Sequence, residues 1–531
     1  MSFLSKPFHA IRREWAVFSE TVRSAAFREL LMWCLPALIV GAIARVALNI
    51  HFSYGYFQGD TPDFLVTAER FVRHHTLVIH GKKAFLAPIC FAIPFVLHIP
   101  ALIVIPIVQH LAGLGATVLA GGIVRCWLRH WRWFIVPITT LYTLNPALLW
   151  YEHALLAECH YLFCVTAVAL AGTLLVRQPT LRRFVWLIVA LFFTAGSRPE
   201  GKLFVAFGIG VVALVYLGDW KLWARRMAIM LVCSAGIWMC SRSTQAGLLL
   251  YATVLPLAPE VSTVAPGVEP FVAPLRAAGA SEEEVARMKY NSVEKHANDA
   301  LRAYLKSIRK QRDDAHVSAL AQRLAIEAIR QKPQYLPSIA ATKFLLTCRP
   351  NPSGDFTATS GGFTPFWIYD KQMESLARRN FMKPLMVGLA GRDLPDDAAT
   401  SAFLREKYQP LDPDWFSPLQ RLWSRMTLDF QLNSHGADKR FIPGWPAFFL
   451  FATVGMILSL IPRDRLWRFH LPWLAVFLGV WFAVMLTGVV NPRYRFVFEP
   501  ICLIYAFLPL DLLWSAAASL AKLCRSRPAH P

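Results

Sequence analysis

The sequence predicts an all-α polytopic membrane protein of about ten transmembrane helices, with a mostly helical outer domain inserted between the seventh and eighth spans. Three observations carry this. Only 17% of the 531 residues are charged and 55% are hydrophobic, whereas soluble domains carry about 25% charge. Several apolar runs reach roughly 18–22 residues, enough to cross a hydrocarbon layer of about 30 Å. Residues 251–440, by contrast, contain no such run and read as a separate polar unit.

Residues 1–29 carry Arg12, Arg13, Arg23 and Arg28 ahead of the first apolar run. With Glu14 and Glu20 also present, the segment reads as a cytoplasmic amphipathic helix on the membrane surface, not a cleaved leader. A transmembrane module follows over 30–250, with spans near 30–50, 101–124, 133–151, 154–176, 184–197, 202–218 and 227–250, and a first outer loop at 51–84. The apolar stretch 85–100 holds Pro88, Pro94 and Pro100 and reads as re-entrant or as part of a long bent second helix. Residues 251–440 form the outer domain. Spans near 441–461, 470–490 and 496–516 and a tail over 517–531 complete the chain.

Charge fixes the orientation. Arg125, Arg129 and Arg132 fall in one connection, Arg177, Arg182 and Arg183 in another, and Lys221, Arg225 and Arg226 in a third. Arg463, Arg465 and Arg468 occupy a fourth, and Lys522, Arg525 and Arg527 the tail. Basic short loops stay in the cytoplasm, so both termini are expected there. The excess of 55 Lys and Arg over 34 Asp and Glu is spent mostly in these loops. No basic face with interleaved aromatics is left for nucleic acid. The ten cysteines form no CxxC pair, so neither a zinc site nor a disulfide framework is indicated.

Four polar clusters then fall on the outer side: Gly59-Asp60-Thr61-Pro62-Asp63, Glu152 to Glu158, Arg198-Pro199-Glu200-Gly201, and Asn491-Pro492-Arg493-Tyr494-Arg495. Charge beside lipid is costly and usually functional. The plain alternative for the arginines is snorkelling to headgroups. Thr61 can cap a short helix with Pro62 at its first position and Asp63 near its positive end. Asp60, just ahead of that cap, is left for proton abstraction from a hydroxyl or for simple solvation. Along 62–75, Phe64, Leu65, Ala68, Phe71 and Val72 form a helical stripe expected to lie on the membrane. His74 and His75 face different ways, which argues against a metal pair. Glu152 fits a helix N-terminus. Glu158 sits deeper and needs a partner, most economically an arginine of another cluster. His153 and His160, seven apart, share a face.

In the outer domain, Ser281 to Glu284 fits a capping box opening a helix to about 312. A second helix near 315–331 ends before Pro333. Tyr335, Phe344, Phe363, Phe366 and Trp367 are placed for an aromatic wall, and Asn351 to Phe363 reads as a mobile loop, either plain surface or a cover for substrate. No Walker, zincin or dinucleotide motif occurs.

The order and shared side of Gly59-Asp60, Leu155-Leu156-Ala157-Glu158, Arg198-Pro199-Glu200-Gly201 and Arg493-Tyr494-Arg495 resemble the GT-C superfamily of membrane glycosyltransferases. More narrowly, they resemble the branch of protein O-mannosyltransferases and the lipid A aminoarabinose transferase. The resemblance covers roughly 30–250 and 441–510. It implies an inverting transferase that moves a sugar from a polyprenyl-phosphate donor to a hydroxyl on a lipid, glycan or protein. It also implies a periplasmic active site and a bacterial inner membrane, with membrane lipids as surroundings. The catalytic acid of the first outer loop maps onto Asp60, with Asp63 as substitute. The donor-phosphate arginines map onto Arg198 and onto Arg493 or Arg495, and Lys202 is a further phosphate ligand. Glu152, Glu158, Glu200 and Tyr494 complete the implied set, with Glu158 and Glu200 orienting the arginines or the sugar. No cofactor is required by the sequence. The resemblance leaves room for a divalent metal at Asp60 and Glu158. Unlike the family pattern, the large polar insert precedes the last three spans, and Phe498-Glu499-Pro500 follows the Arg-Tyr-Arg run.

Two other classes fit parts of the pattern. An O-antigen-ligase-like enzyme would depend on loop histidines such as His296 or His435. A lipid carrier without covalent chemistry would place charges deep in the spans, whereas these charges lie at the outer ends. The topology is testable with reporter fusions. Alkaline phosphatase joined after residue 80 is expected to be active, and a fluorescent protein on the C-terminus is expected to glow. A silent phosphatase there would overturn the orientation.

Overall fold

The structure is a computed structural model that describes residues 24–51, 55, 61–75, 84–99, 101–240, 250–251, 301, 305–306, 314–331, 333–335, 337, 445–462, 464–487 and 499–526. Its described elements are helical. In chain order they are α1 Ala25–His51, α2 Thr61–His74, α3 Leu86–Val96, α4 Ala101–Trp127, α5 Trp131–Thr143, α6 Pro146–His153, α7 Glu158–Arg177 and α8 Leu181–Ser197. A 3-10 turn, Pro199–Leu203, leads into α9 Phe204–Val215 and α10 Trp220–Cys240. The series continues with α11 Asp314–Gln331, α12 Trp445–Ser459, α13 Trp467–Thr487 and α14 Glu499–Ser526. Among the described residues, four stretches are long and apolar enough to cross a membrane: Ala25–Ile50, Ala101–Trp127, Glu158–Arg177 and Pro500–Leu520.

The apolar side chains divide between lipid and core. On α1, Met32, Leu35, Ile39, Ile43, Val46 and Ile50 point outward, as expected of a peripheral span whose apolar window is 28% buried. The corresponding window of α7 is 67% buried, because α7 packs between α4 and α8. Helix α1 closes the bundle against α4 and α5, α13 lies on α9, and α12 pairs with α14. Trp127, at the end of α4, joins the two halves. Its ring meets those of Phe469, His470 and Tyr505, and its indole N–H donates to Thr173 Oγ1 at 3.0 Å. Such aromatic contacts add roughly 0.5–1.5 kcal/mol each beyond the area they bury.

The bundle carries two polar layers at opposite ends of the same helices. At one end, Glu29 of α1 binds Arg132 at 2.6 Å and Arg125 at 3.3 Å. Arg177 donates to the Cys126 carbonyl. The buried Asp511 accepts from the backbone N–H groups of Arg129 and His130 at 3.0 and 2.9 Å, just ahead of the positive end of α5. The other layer holds Arg45, Glu152, Glu158 and Arg198. Glu29 and Arg45 are sixteen residues apart on α1, and Glu158 and Arg177 nineteen apart on α7. At about 1.5 Å per residue the layers stand roughly 24–28 Å apart, close to a hydrocarbon thickness.

Four expectations change. The stripe on α2 faces protein: Phe64, Leu65 and Ala68 are buried, and α2 packs on α3, with Phe64 edge-on to Phe91. An apolar stripe is satisfied by a neighbouring helix as readily as by lipid. The span expected at 133–151 breaks at Leu144–Asn145, where Pro146 starts α6 and Asn145 Oδ1 accepts from Leu148 N at 3.3 Å. The span expected at 202–218 begins as the 3-10 turn Pro199–Leu203. Residues 85–99 give a separate short helix, α3, and a turn, and α4 starts at Ala101. Within 251–440, Asp314–Gln331 is helical and Pro333–Tyr335 forms a 3-10 turn. The capping-box helix, the aromatic residues after Tyr335 and the Asn351 to Phe363 loop lie outside the described residues.

Asp511 offers a direct check on the basic end. Asp511→Ala strips two backbone N–H groups of their acceptor, so a loss of about 1–3 kcal/mol is expected. Thermal unfolding in detergent would register it as a lowered midpoint. An unchanged midpoint would mean the contact contributes nothing.

Candidate functional site

The polar layer of Arg45, Glu152, Glu158 and Arg198 is built around a break in the chain. Helix α6 stops at His153, residues 154–157 run irregularly, and α7 starts at Glu158. An interrupted backbone inside a bundle must find partners elsewhere. Leu155 O accepts from the Thr61 hydroxyl at 3.1 Å, and Leu156 O accepts from the Gln109 amide at 2.9 Å. Cys159 Sγ donates to Gln109 O at 3.2 Å. Gly55 N–H donates to Leu102 O at 2.8 Å. Gly55 is thereby tied to the start of α4 and Thr61 to the break. Thr61, expected as a cap, is the first residue of α2 and sends its hydroxyl to this break.

Glu158 opens α7 and is fully buried. Its Oε1 accepts from Arg198 Nη1 at 2.6 Å. Arg198 follows the end of α8, and its Nε lies 2.5 Å from Glu200 Oε1. Its guanidinium also stands 5.9 Å from the Tyr161 ring centroid. The Arg198-Pro199-Glu200-Gly201 motif explains the geometry. Pro199 opens the 3-10 turn, which brings Glu200 back to the arginine two positions earlier. Gly201 then passes over the end of α8, where a Cβ would lie 2.1 Å from Thr194 O. Lys202 is largely buried, and its ammonium sits 5.5 Å from the Trp238 ring. The structure therefore brings Glu158, Arg198 and Glu200 into one cluster.

Glu152 belongs elsewhere. It lies in the last turn of α6, not at a helix N-terminus, and is fully enclosed. Arg45 of α1 binds it with both prongs, Nε to Oε2 at 2.7 Å and Nη2 to Oε1 at 2.6 Å. His110 Nδ1 of α4 is 2.8 Å from Oε2. His110 Nε2 is 3.2 Å from His153 Nδ1. Arg45 Nη1 also donates to Gly41 O and to Thr143 Oγ1, both at 2.9 Å. A Cβ on Gly113 would sit 1.7 Å from Glu152 Oε1, so only glycine admits this carboxylate against α4. Glu152 is thus enclosed, with its carboxylate taken up by Arg45 and His110. The pairing of His153 with His160 on one face is replaced: His153 meets His110, and His160 meets the Phe91 ring. Arg45 and His110 also lie within helices, about two turns inside this end of the bundle, not only at its boundary. Sequence reading passed over Arg45, His110 and Gly113. A lone arginine and a lone histidine inside apolar runs were the available signal.

Asp60, Arg493, Tyr494 and Arg495 lie outside the described residues, as does the side chain of Asp63. Among the described residues, no group of three or more His, Cys, Asp or Glu could hold a metal ion.

No protein-family model matches the chain, and no curated protein matches it. Among solved structures, the crystal structure of ArnT from Cupriavidus metallidurans bound to undecaprenyl phosphate aligns over 94% of this chain and 82% of its own. The identity is 13% and the TM-score 0.29. A superposition that loose carries no argument about fold or chemistry.

The ion pair can be weighed by a double-mutant cycle. Arg198→Leu leaves Glu158 buried without this cation and should destabilise by about 3–5 kcal/mol. Adding Glu158→Leu should recover most of that loss. Additive effects in thermal unfolding would show the two side chains to be energetically independent.

Proposed function

We propose that the chain is a membrane glycosyltransferase of the GT-C type. In this reading it transfers a sugar from a polyprenyl-phosphate donor to a hydroxyl acceptor at the outer face of the membrane. The observation that carries the reading is the Glu158–Arg198–Glu200 cluster, an arginine locked between two carboxylates at the membrane end opposite the basic loops. Its order in the chain after the Gly59-Asp60 motif supports it further.

The chemistry follows from charge. The acceptor oxygen attacks the anomeric carbon, the bond from that carbon to the phosphate oxygen breaks, and the polyprenyl phosphate leaves with the bonding pair. The acceptor proton passes to Asp60. One displacement inverts the anomeric centre. Negative charge grows on the leaving phosphate, and a cation fixed in advance stabilises that growth without reorganising. Arginine suits the task through its planar fork of donors. Glu158 and Glu200 hold the Arg198 guanidinium in orientation. Lys202 adds a second cation two residues beyond Glu200, and Arg493 or Arg495 supplies a third. The isoprenoid tail stays in the bilayer throughout. A divalent metal at Asp60 and Glu158 remains part of the proposal only as an option that metal titration of activity would decide.

Radiolabelled polyprenyl-phosphate sugars presented to purified protein test this. Asp60→Asn is expected to slow donor cleavage by roughly 10²–10⁴-fold, and Arg198→Lys by roughly 10²–10³-fold. Wild-type protein that cleaves no donor yet moves lipid across vesicles would replace the enzyme with a carrier.

A further inference from the structure

We propose that Arg45, His110 and Glu152 form a positioning network that fixes the 154–157 break, and through it the groups on either side of that break. The catalytic half of this inference rests on the sugar-transfer reading above; the structural half does not.

The geometry sets the network apart from an ordinary buried ion pair. Glu152 gathers three separate helices at one carboxylate: α1 through Arg45, α4 through His110, and α6, which carries it. The residue after it, His153, closes the circuit back to α4 through His110. An ionised carboxylate only accepts, so His110 Nδ1 carries the hydrogen it gives to Glu152. With both rings neutral, His110 Nε2 then accepts from His153 Nδ1–H. Every distance in the circuit lies between 2.6 and 3.2 Å, and all four side chains are buried. Such a circuit has one geometry, because moving any member leaves charge unpaired in an apolar interior.

What it fixes is the chain immediately downstream. The last residues of α6 lead within five positions to Glu158, the partner of Arg198. On the way, Leu155 receives Thr61, the residue that follows Asp60 in the chain. Thr61 and the arginine cluster are therefore both anchored on a segment whose upstream end is held by Glu152. None of the three network side chains needs to touch substrate; they act by placing residues that do.

Cys159 provides a reporter independent of activity. It follows Glu158, is buried, and donates to Gln109 O. Cys34, buried in α1 beside Gly121, is an internal reference toward the basic end. The double variant Arg45→Met/Glu152→Leu removes both charges together, so neither is left alone in the interior. In detergent-solubilised full-length protein, site-resolved alkylation of Cys159 by N-ethylmaleimide is expected to speed up about tenfold or more while Cys34 is unchanged. With a polyprenyl-phosphate sugar as donor, kcat is expected to fall about 10²-fold with little change in KM. Cys159 as protected as in the wild type would overturn the proposal, and so would an unaltered kcat. If Cys34 is exposed as well, the double variant has unfolded and the milder Glu152→Gln takes its place under the same two criteria. A wild type that cleaves no donor sinks the sugar-transfer reading alone, and the Cys159 comparison still decides the network.

Discussion

A carboxylate enclosed by apolar side chains is tolerated only when a cation or fixed N–H donors reach it, and that requirement organises the Glu152 and Glu158 end of this bundle. Glu152 and Glu158 are six residues apart and both fully buried. Each draws an arginine from a different helix end: Arg45 from α1, Arg198 from beyond α8. The two ion pairs bracket the break between α6 and α7. Removing one partner from a buried pair costs far more than the pair itself contributes. The break is therefore held from both sides by contacts that cannot be loosened singly without stranding a charge.

The opposite end of the bundle meets the same requirement differently. There the arginines sit in short connections, partly exposed, and bind backbone carbonyls or the single acid Glu29. Contacts of that kind are worth little individually and depend on salt. The one buried acid, Asp511, is satisfied by backbone N–H groups and by His130. Rigid charge thus lies at one end of the bundle and adaptable charge at the other. The aromatic cluster around Trp127 spans the two chain halves, so the C-terminal helices share a core with the N-terminal module.

Much of the site's composition is legible in the residues. Arg198-Pro199-Glu200-Gly201 encodes its own turn, because proline fixes the start, the glycine permits close passage over Thr194, and the intervening acid returns to the arginine. The need of Glu158 for a cation also follows from its depth in an apolar run. The identity of Glu152's partners does not. Arg45 and His110 precede it by 107 and 42 residues, and no local pattern links them. Nor does periodicity distinguish a stripe that faces lipid from one that faces protein, which is why α2 was expected on the membrane and is found against α3.

The amino-acid order by itself determined the helical, membrane-crossing character and the turn chemistry. These depend on apolar run length and the backbone limits of proline and glycine, all of which act within a few residues. Tertiary structure alone decided which acid meets which base and which carboxylate is sealed off. It also decided how a four-residue interruption between two helices is held by contacts from Gln109 and Thr61. Those outcomes depend on which helices lie side by side, and desolvation then makes the pairing that packing permits the one the molecule keeps.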